Sequence, residues 1–269
     1  MGSANIRNAT ADDYHTFARL FRELGAEDPV PTAERFATDF LPTTLIAEHG
    51  GLPSAGYAFF RPLTGVVHLT HLVTAPDARR RGIGRALMAE VAQRARANGC
   101  TTMQLNVHPT NTAAIRLYES IGLDRVHENR GLKIAWSIVD GLAPDAVALA
   151  PLARPVEPED DERLEAEWEM PKGVLAEQRV RPNRVLRSLA SAFGRNAVAV
   201  FDLGFPGAYP FRAPDLLSAL SLLRALRPLA AGDAVVFIAL ENQPDLSEAL
   251  MKVGATLHME TVFMRGPLP

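Results

Sequence analysis

The stretch APDARRRGIGRALMAEV, Ala75–Val91, sets three consecutive arginines and two glycines between a β-rich run and a helical one. Its spacing is Arg79-x-x-Gly82-x-Gly84, directly after a predicted strand and directly opening a predicted helix. Glycine lets backbone amides approach a ligand closely, and a helix N-terminus offers N–H groups without intrahelical partners together with partial positive charge. Such a turn can cradle a pyrophosphate. The alternative is an ordinary solvated turn carrying arginines, and a motif this short needs its context to decide.

Working outward, the helix GIGRALMAEVAQRARANG carries Ile83, Leu87, Val91 and Ala95 at steps of four and stops at Asn98-Gly99, a C-cap signal. Before it, TTLIAEHG, PSAGYAFFRPL and GVVHLTHLVTA alternate like the strands of a meander, separated by Gly and Pro. Further upstream, NIRNAT reads as a short strand. ADDYHTFARLFREL reads as a helix with Phe17, Leu20, Phe21 and Leu24 on one face, and PTAERFATDF as a second short helix. Downstream come the strand TMQLNVH, the helix TNTAAIRLYESIG closed by Gly122, and LDRVHENRGLKIAWSIV, which reads as a terminal hairpin.

From Asp140 to Glu167 the composition shifts to Ala, Pro and acid, which predicts a linker, or a strand entering a second domain, followed by a helix at PEDDERLEAEWEM. Strands are predicted at NAVAVFDLGF and GDAVVFIAL, and helices at APDLLSALSLLRAL and NQPDLSEALMKVG. Both halves then run helix, strand, Asn (Asn111 or Asn242), helix, Gly (Gly122 or Gly254), β segment. That shared order predicts a tandem repeat, with a first domain at 1–139 and a second at 140–269.

At 269 residues, 47% apolar and 22% charged, the chain can bury a sizeable core. A formal net charge of −3 gives no bulk electrostatic case for nucleic acid, so any anion must be held locally. The single cysteine, Cys100, excludes an intrachain disulfide and a cysteine-built zinc site, and no histidine pair has metal-ligand spacing. No metal is expected. No apolar run approaches the roughly 18 to 20 residues of a membrane helix, and MGSANIRNAT is too polar for a signal peptide, so a cytoplasmic location is expected.

The run NTAAIRLYESIG places Asn111, Ala114 and Tyr118 on one helical face, a polar amide, a small residue and a phenol. With RRRGIG before it, the sequence resembles the GNAT superfamily of acetyl-CoA-dependent N-acetyltransferases over roughly residues 3 to 139. RRRGIG stands in the position of the family's Arg/Gln-x-x-Gly-x-Gly/Ala loop, and NTAAIRLYESIGL in that of its Asn, Tyr and helix-closing glycine. The resemblance implies an α/β fold with a mixed sheet and splayed central strands, followed by a second, smaller GNAT-like domain. It further implies acetyl-CoA as co-substrate. Backbone groups of Leu72, Val73 and Thr74 would hold the pantetheine and acetyl carbonyl. Arg79, Arg80, Arg81, Gly82, Ile83, Gly84 and Arg85 would wrap the pyrophosphate, Asn111 would meet the pantetheine arm, and Tyr118 would face the sulfur. A phenol with a reference pKa near 10 keeps its proton at neutral pH and suits a departing thiolate, though packing under the sheet is the plainer role for Tyr118.

An attacking amine must be neutral, which favours a base. On VVHLTHLVT, strict alternation puts His68, Thr70, Leu72 and Thr74 on one face and Leu69, His71 and Val73 on the other. Counting back from Gly82, His68 falls where many family members carry a Glu or His acting as base, and its reference pKa near 6.5 suits proton pick-up. A merely hydrogen-bonded strand histidine, with water as the base, is the other reading. His108 and His71 are lesser candidates.

The second half lacks this constellation. PGAYPFR carries no Arg-x-x-Gly-x-Gly, and Leu250 and Met251 fall where Tyr118 would lie. The expectation is a degenerate repeat that walls the acceptor pocket, dimerises the chain or binds a different ligand. RVRPNRVLRSLASAFGR is its most basic run, either a solvated face or an anionic-substrate patch; no aromatic interleaving supports nucleic acid. The reading is an acyltransferase moving acetyl from acetyl-CoA to a small-molecule or peptide primary amine, with Tyr118 as general acid and no nucleic-acid or membrane partner. An acyl-CoA-binding sensor without catalysis is the rival, favoured by the missing strand carboxylate.

Overall fold

The computed structural model describes residues 4–25, 29–141, 152–191, 194–230, 232 and 234–269, without the side chains of residues 52 and 53. Most of the predicted linker therefore lies outside the described residues. The chain divides into two compact units, Met1–Arg125 with Met264–Pro269, and Val126–Phe263. The first unit thus closes fourteen residues before the predicted boundary at 139 and takes back the last six residues of the chain.

In the first unit β1 (Asn5–Asn8), β2 (Thr44–His49), β3 (Leu52–Leu63) and β4 (Val66–Thr74) pair antiparallel in order. The helix α3 (Ile83–Ala97) then carries the chain to β5 (Thr102–Val107), which lies parallel to β4. The i, i+4 row of α3 works as predicted: Ile83, Leu87, Val91 and Ala95 are all buried, and Gly99 ends the helix at φ +76°. One face of the sheet meets aromatic side chains from α1 (Tyr14–Phe21) and from the turn that follows the short α2 (Ala33–Arg35). Phe17 lies 5.2 Å from both Tyr57 and Phe40, ring centroid to ring centroid. After β5, α4 (Thr112–Glu119) leads to Gly122 at φ +92°. The final residues of the chain close this unit. Leu268 N–H donates to the Thr101 carbonyl at 3.1 Å, and a Cβ on Gly266 would stand 2.2 Å from the Gly122 carbonyl oxygen.

LDRVHENRGLKIAWSIV is one strand, β6 (Asp124–Ala135), followed by α5 (Trp136–Asp140), and not a hairpin. It has no central Asn-Gly or Asp-Gly turn to reverse it, and Arg130-Gly131 continues in register against β11 (Val235–Glu241). In the second unit α6 (Asp161–Glu167) and α7 (Val174–Arg179) follow β7 (Arg154–Pro155). Then β8 (Arg184–Leu189), β9 (Ala197–Asp202) and β10 (Gly207–Arg212) pair antiparallel in order. After α8 (Leu216–Leu226), β11 runs parallel to β10 and antiparallel to β6, and α9 (Pro244–Lys252) precedes β12 (Thr256–Pro267). The core joins Leu132, Ile134 and Trp136 to the buried side of α8 and to Ile238 and Leu240. Three arginines of the basic run are held in internal ion pairs: Arg179 grips Asp161 through two 2.6 Å bonds, Arg181 meets Glu177, and Arg184 meets Asp202, while Arg195 lies over the Trp168 ring. No helix among the described residues is long and apolar enough to cross a membrane.

Candidate active site

The pairing of β4 with β5 stops at Leu69 opposite Leu105, although β4 runs on to Thr74 and β5 to Val107. The two strands therefore part beyond Leu69. This leaves one edge of Thr70–Thr74 without a β5 partner, a place where fixed backbone groups can meet a ligand. Leu72, Val73 and Thr74 all lie on this parted segment.

Directly beyond it the arginine–glycine turn folds into α3. Arg80 and Gly82 both have positive φ, +62° and +81°, and Gly82 is the N-cap. A left-handed arginine is a costly conformation that concentrates at functional turns. Because the cap is glycine, no side chain covers the helix start, and the N–H groups of Ile83, Gly84 and Arg85 have no intrahelical carbonyl to bond. Arg81 and Arg85 are exposed. Arg79 is exposed and braces the turn: its Nε donates to the Thr74 carbonyl at 3.3 Å and its Nη2 meets Glu23 at 3.0 Å.

Two glycines draw these pieces together. A Cβ on Gly56 would stand 2.5 Å from the Val73 carbonyl oxygen and 3.3 Å from Ile83 Cγ2. A Cβ on Gly84 would stand 3.2 Å from Leu117 of α4, with the Thr74 and Leu72 side chains within 4.0 Å. The end of β4, the start of α3 and the helix carrying Tyr118 thus meet at one point. Asn111 is the N-cap of α4, its Oδ1 accepting from Ala114 N–H at 3.2 Å. Tyr118 is 6% exposed, and burial raises its phenol above the usual tyrosine range, so the proton is firmly held.

The histidines are arranged differently from the predicted alternation. Phe59 faces His71 while the next residue, Phe60, faces Leu69, so Thr70 is an extra residue in β4, a bulge. That single insertion turns His68 onto the same face as His71, toward α1, and away from Leu72 and Thr74. His71 sits among Phe21, Phe40, Phe59 and Tyr57, with Tyr57 Oη 3.2 Å from its Nδ1. Burial, reinforced by the nearby His68, pulls its pKa down to about 4, so it is neutral near pH 7. His68 Nδ1 lies 3.5 Å from Gln104 Nε2 on the adjacent strand. His108 is tied into the turn before α4, where its Nδ1 accepts from Thr110 N–H at 3.3 Å. Among the described residues no group of three or more His, Cys, Asp or Glu is arranged to hold a metal ion.

Gly56, Tyr57, Glu23 and Gln104 are the neighbours that sequence reasoning passed over. Only Gly56 left a signal, a glycine inside a strand, which marks close backbone approach.

In the second unit the same positions are closed. The helix α8 begins at Asp215, whose carboxylate accepts from Ser218 N–H at 2.7 Å, so a side-chain anion already sits at this helix start. β10 and β11 pair only at Gly207–Phe237 and Ala208–Ile238. Beyond that, Tyr209 Oη donates to Glu241 at 2.8 Å and the buried Arg212 bonds to the same carboxylate. With N-caps aligned, Leu250 of α9 takes the position of Tyr118 in α4.

Residues 9–123 match the model of the Acetyltransferase (GNAT) family. Among curated proteins, the ribosomal protein bS18-alanine N-acetyltransferase of Escherichia coli K12 is 31% identical over 96 residues, 36% of this chain and 62% of that protein. The chain thus spans less than two thirds of the length of that relative. Among solved structures, a tandem GNAT protein from the clavulanic acid biosynthesis pathway superposes with a TM-score of 0.61 at 17% identity over 99% of both chains. A GCN5-related N-acetyltransferase from Sphaerobacter thermophilus does so with a TM-score of 0.65 at 17% identity, over 98% of this chain and 96% of its own. At that identity the likeness is one of fold.

Proposed function

We propose, from the match of residues 9–123 to the GNAT acetyltransferase family model, that the first unit transfers acetyl from acetyl-CoA to a primary amine. The observation that carries this reading is the convergence of parted β4, the uncapped start of α3 and the Tyr118 helix, drawn together at Gly56 and Gly84. The residues present suit the co-substrate. Backbone N–H groups at Gly82–Arg85 would take the diphosphate, with Arg80, Arg81 and Arg85 around it, and Leu72–Thr74 would take the pantetheine and acetyl carbonyl. Asn111 caps α4 through Oδ1, which leaves its Nδ2 protons as donors toward the pantetheine arm. Acetyl-CoA supplies an acyl group already activated as a thioester.

The chain's own groups would supply positioning and proton movement. Tyr118 keeps a proton on Oη because burial disfavours the phenolate, which suits a donor to a departing sulfur. His68, on the α1 face, is the side chain proposed to accept a proton from the incoming amine, directly or through water, with Gln104 orienting its ring. His71 is a poor base at a pKa of about 4, and we assign it no proton transfer.

The second unit is proposed to take no acetyl-CoA. Asp215 would repel a diphosphate at the start of α8, and Arg212 and Tyr209 of β10 are tied to Glu241 of β11 where the two strands stop pairing. The acceptor is a small-molecule or peptide amine. A peptide α-amine has the better claim, because the curated relative is named for alanine N-acetylation and an α-amine is about one in ten neutral at pH 7, against one in a few thousand for lysine.

The test is calorimetric titration of the full chain with acetyl-CoA, followed by mass spectrometry of a panel of peptides and small amines. Saturable uptake and an acetylated product support the proposal. Uptake with no product on any amine would instead support a non-catalytic acyl-CoA sensor, and no uptake at millimolar concentration would remove both readings.

A further inference from the structure

Arg79 stands where the two parts of the co-substrate site meet. The carbonyl its Nε reaches, that of Thr74 at 3.3 Å, faces the parted edge of β4. The next residue, Ala75, donates to the Ala55 carbonyl of β3 at 2.9 Å, and successive strand residues point their backbone groups to opposite sides. Arg79 thus covers the last carbonyl of the Leu72–Thr74 edge. Its neighbour in sequence, Arg80, begins the left-handed turn into α3. A long, exposed arginine needs a second contact to stay in one place, and Glu23 provides it, with Oε2 3.0 Å from Nη2.

Glu23 is a firm anchor. It lies in the tight turn Arg22–Leu24, between the buried Phe21 and Gly25, which ends the turn at φ +69°. The Phe21 ring meets His71 edge-on at 5.5 Å, so the turn is fixed to the aromatic layer over the sheet. Two effects of opposite sign meet at this carboxylate. As a charge it would oppose a diphosphate; as a hydrogen-bond acceptor it holds the guanidinium that would meet one. Pairing with Arg79 offsets the charge, and water screens a carboxylate that is 36% exposed, so the positioning effect is the larger. An arginine ordered before the ligand arrives also loses less side-chain freedom on binding.

We infer that Glu23 is a positioning residue for the co-substrate. It holds Arg79 over the Thr74 carbonyl, and the remaining N–H donors of the guanidinium wait at the junction between the pantetheine edge and the diphosphate turn. This rests on the acetyl-CoA reading above and adds to that site a residue from outside both of its binding motifs.

Calorimetry of the full chain with acetyl-CoA tests this. Glu23→Ala and Glu23→Gln remove the same charge, but only Gln keeps an acceptor for Nη2, so the difference between them reports positioning alone. Glu23→Ala should weaken binding about threefold to fivefold, the upper range for an exposed pair, and Glu23→Gln should restore most of that loss. In an Arg79→Ala background Glu23→Ala should cause no further loss. Both side chains are exposed, so the variants should keep the parent's urea midpoint. In turnover assays the KM for acetyl-CoA should rise with kcat unchanged. The inference is overturned if Glu23→Ala binds as tightly as the parent or more tightly, if Gln is no better than Ala, or if the loss persists without Arg79. No uptake by the parent removes the acetyl-transfer reading and this inference together, whereas uptake by the parent with no change in Glu23→Ala removes this inference alone.

Discussion

Gly56 and Val73 pass so closely that a Cβ on the glycine would stand 2.5 Å from the valine carbonyl oxygen. The obstacle is backbone, which cannot swing aside as a side-chain tip would. Gly56→Ala must therefore push Leu72–Thr74 out of place. The expected outcome is a loss of about 1–3 kcal/mol in unfolding free energy, typical of overpacking, and acetyl-CoA affinity at least about tenfold weaker. Urea unfolding and calorimetry of the same variant check the two parts separately.

Gly82→Asp would bring to the first unit the charge that Asp215 sets at a helix start in the second. Asp215 caps α8 from extended backbone whereas residue 82 is left-handed, so the new carboxylate would act by placing a negative charge beside the start of α3, where it repels a diphosphate. Asp tolerates the left-handed backbone at φ +81° better than most residues, so the fold should survive with a cost of about 1 kcal/mol. Acetyl-CoA binding should fall more than about tenfold. Affinity equal to that of the parent protein would show that the turn does not grip the diphosphate.

Tyr118→Phe keeps the buried ring and removes only the hydroxyl. Turnover should drop on the order of 10²-fold, the range of a lost general acid, while the dissociation constant for acetyl-CoA changes little. Equal losses in both would mark Tyr118 as a packing residue.

His71 should make stability depend on acid. Its folded pKa of about 4 lies below its ordinary value of 6.5, so between those values the unfolded chain binds a proton that the native chain does not. Stability is therefore fully present above pH 6.5 and falls as pH drops toward 4, by an amount on the order of 3 kcal/mol. His71→Phe should flatten this slope in urea titrations across that window. Asp13, held near 2 by its bonds to Arg7, loses its contribution only at lower pH, between 3.8 and about 2, so the two effects separate.

Much of the architecture was legible because it is local. The period of Ile83, Leu87, Val91 and Ala95, the Asn98-Gly99 stop and the strand–glycine–helix order around Gly82 are set by neighbours a few residues apart. The backbone there follows from chirality, capping and burial of one face. Asn111 and Tyr118 were legible for the same reason, as two positions on one short helix.

What the sequence alone could not determine depends on partners distant along the chain. Alternation assigned His68 and His71 to opposite faces, and the bulge at Thr70 put them on one. A strand's side-chain phase is set by the register of the strand beside it, and one unpaired residue reverses everything beyond it. Residues 124–135 read as the end of the first half, yet nearly all of them belong to the second unit, while Met264–Pro269 return to the first. A strand carries the same hydrogen-bonding edge wherever it lies, so which sheet it completes is chosen only when the whole chain competes for that edge.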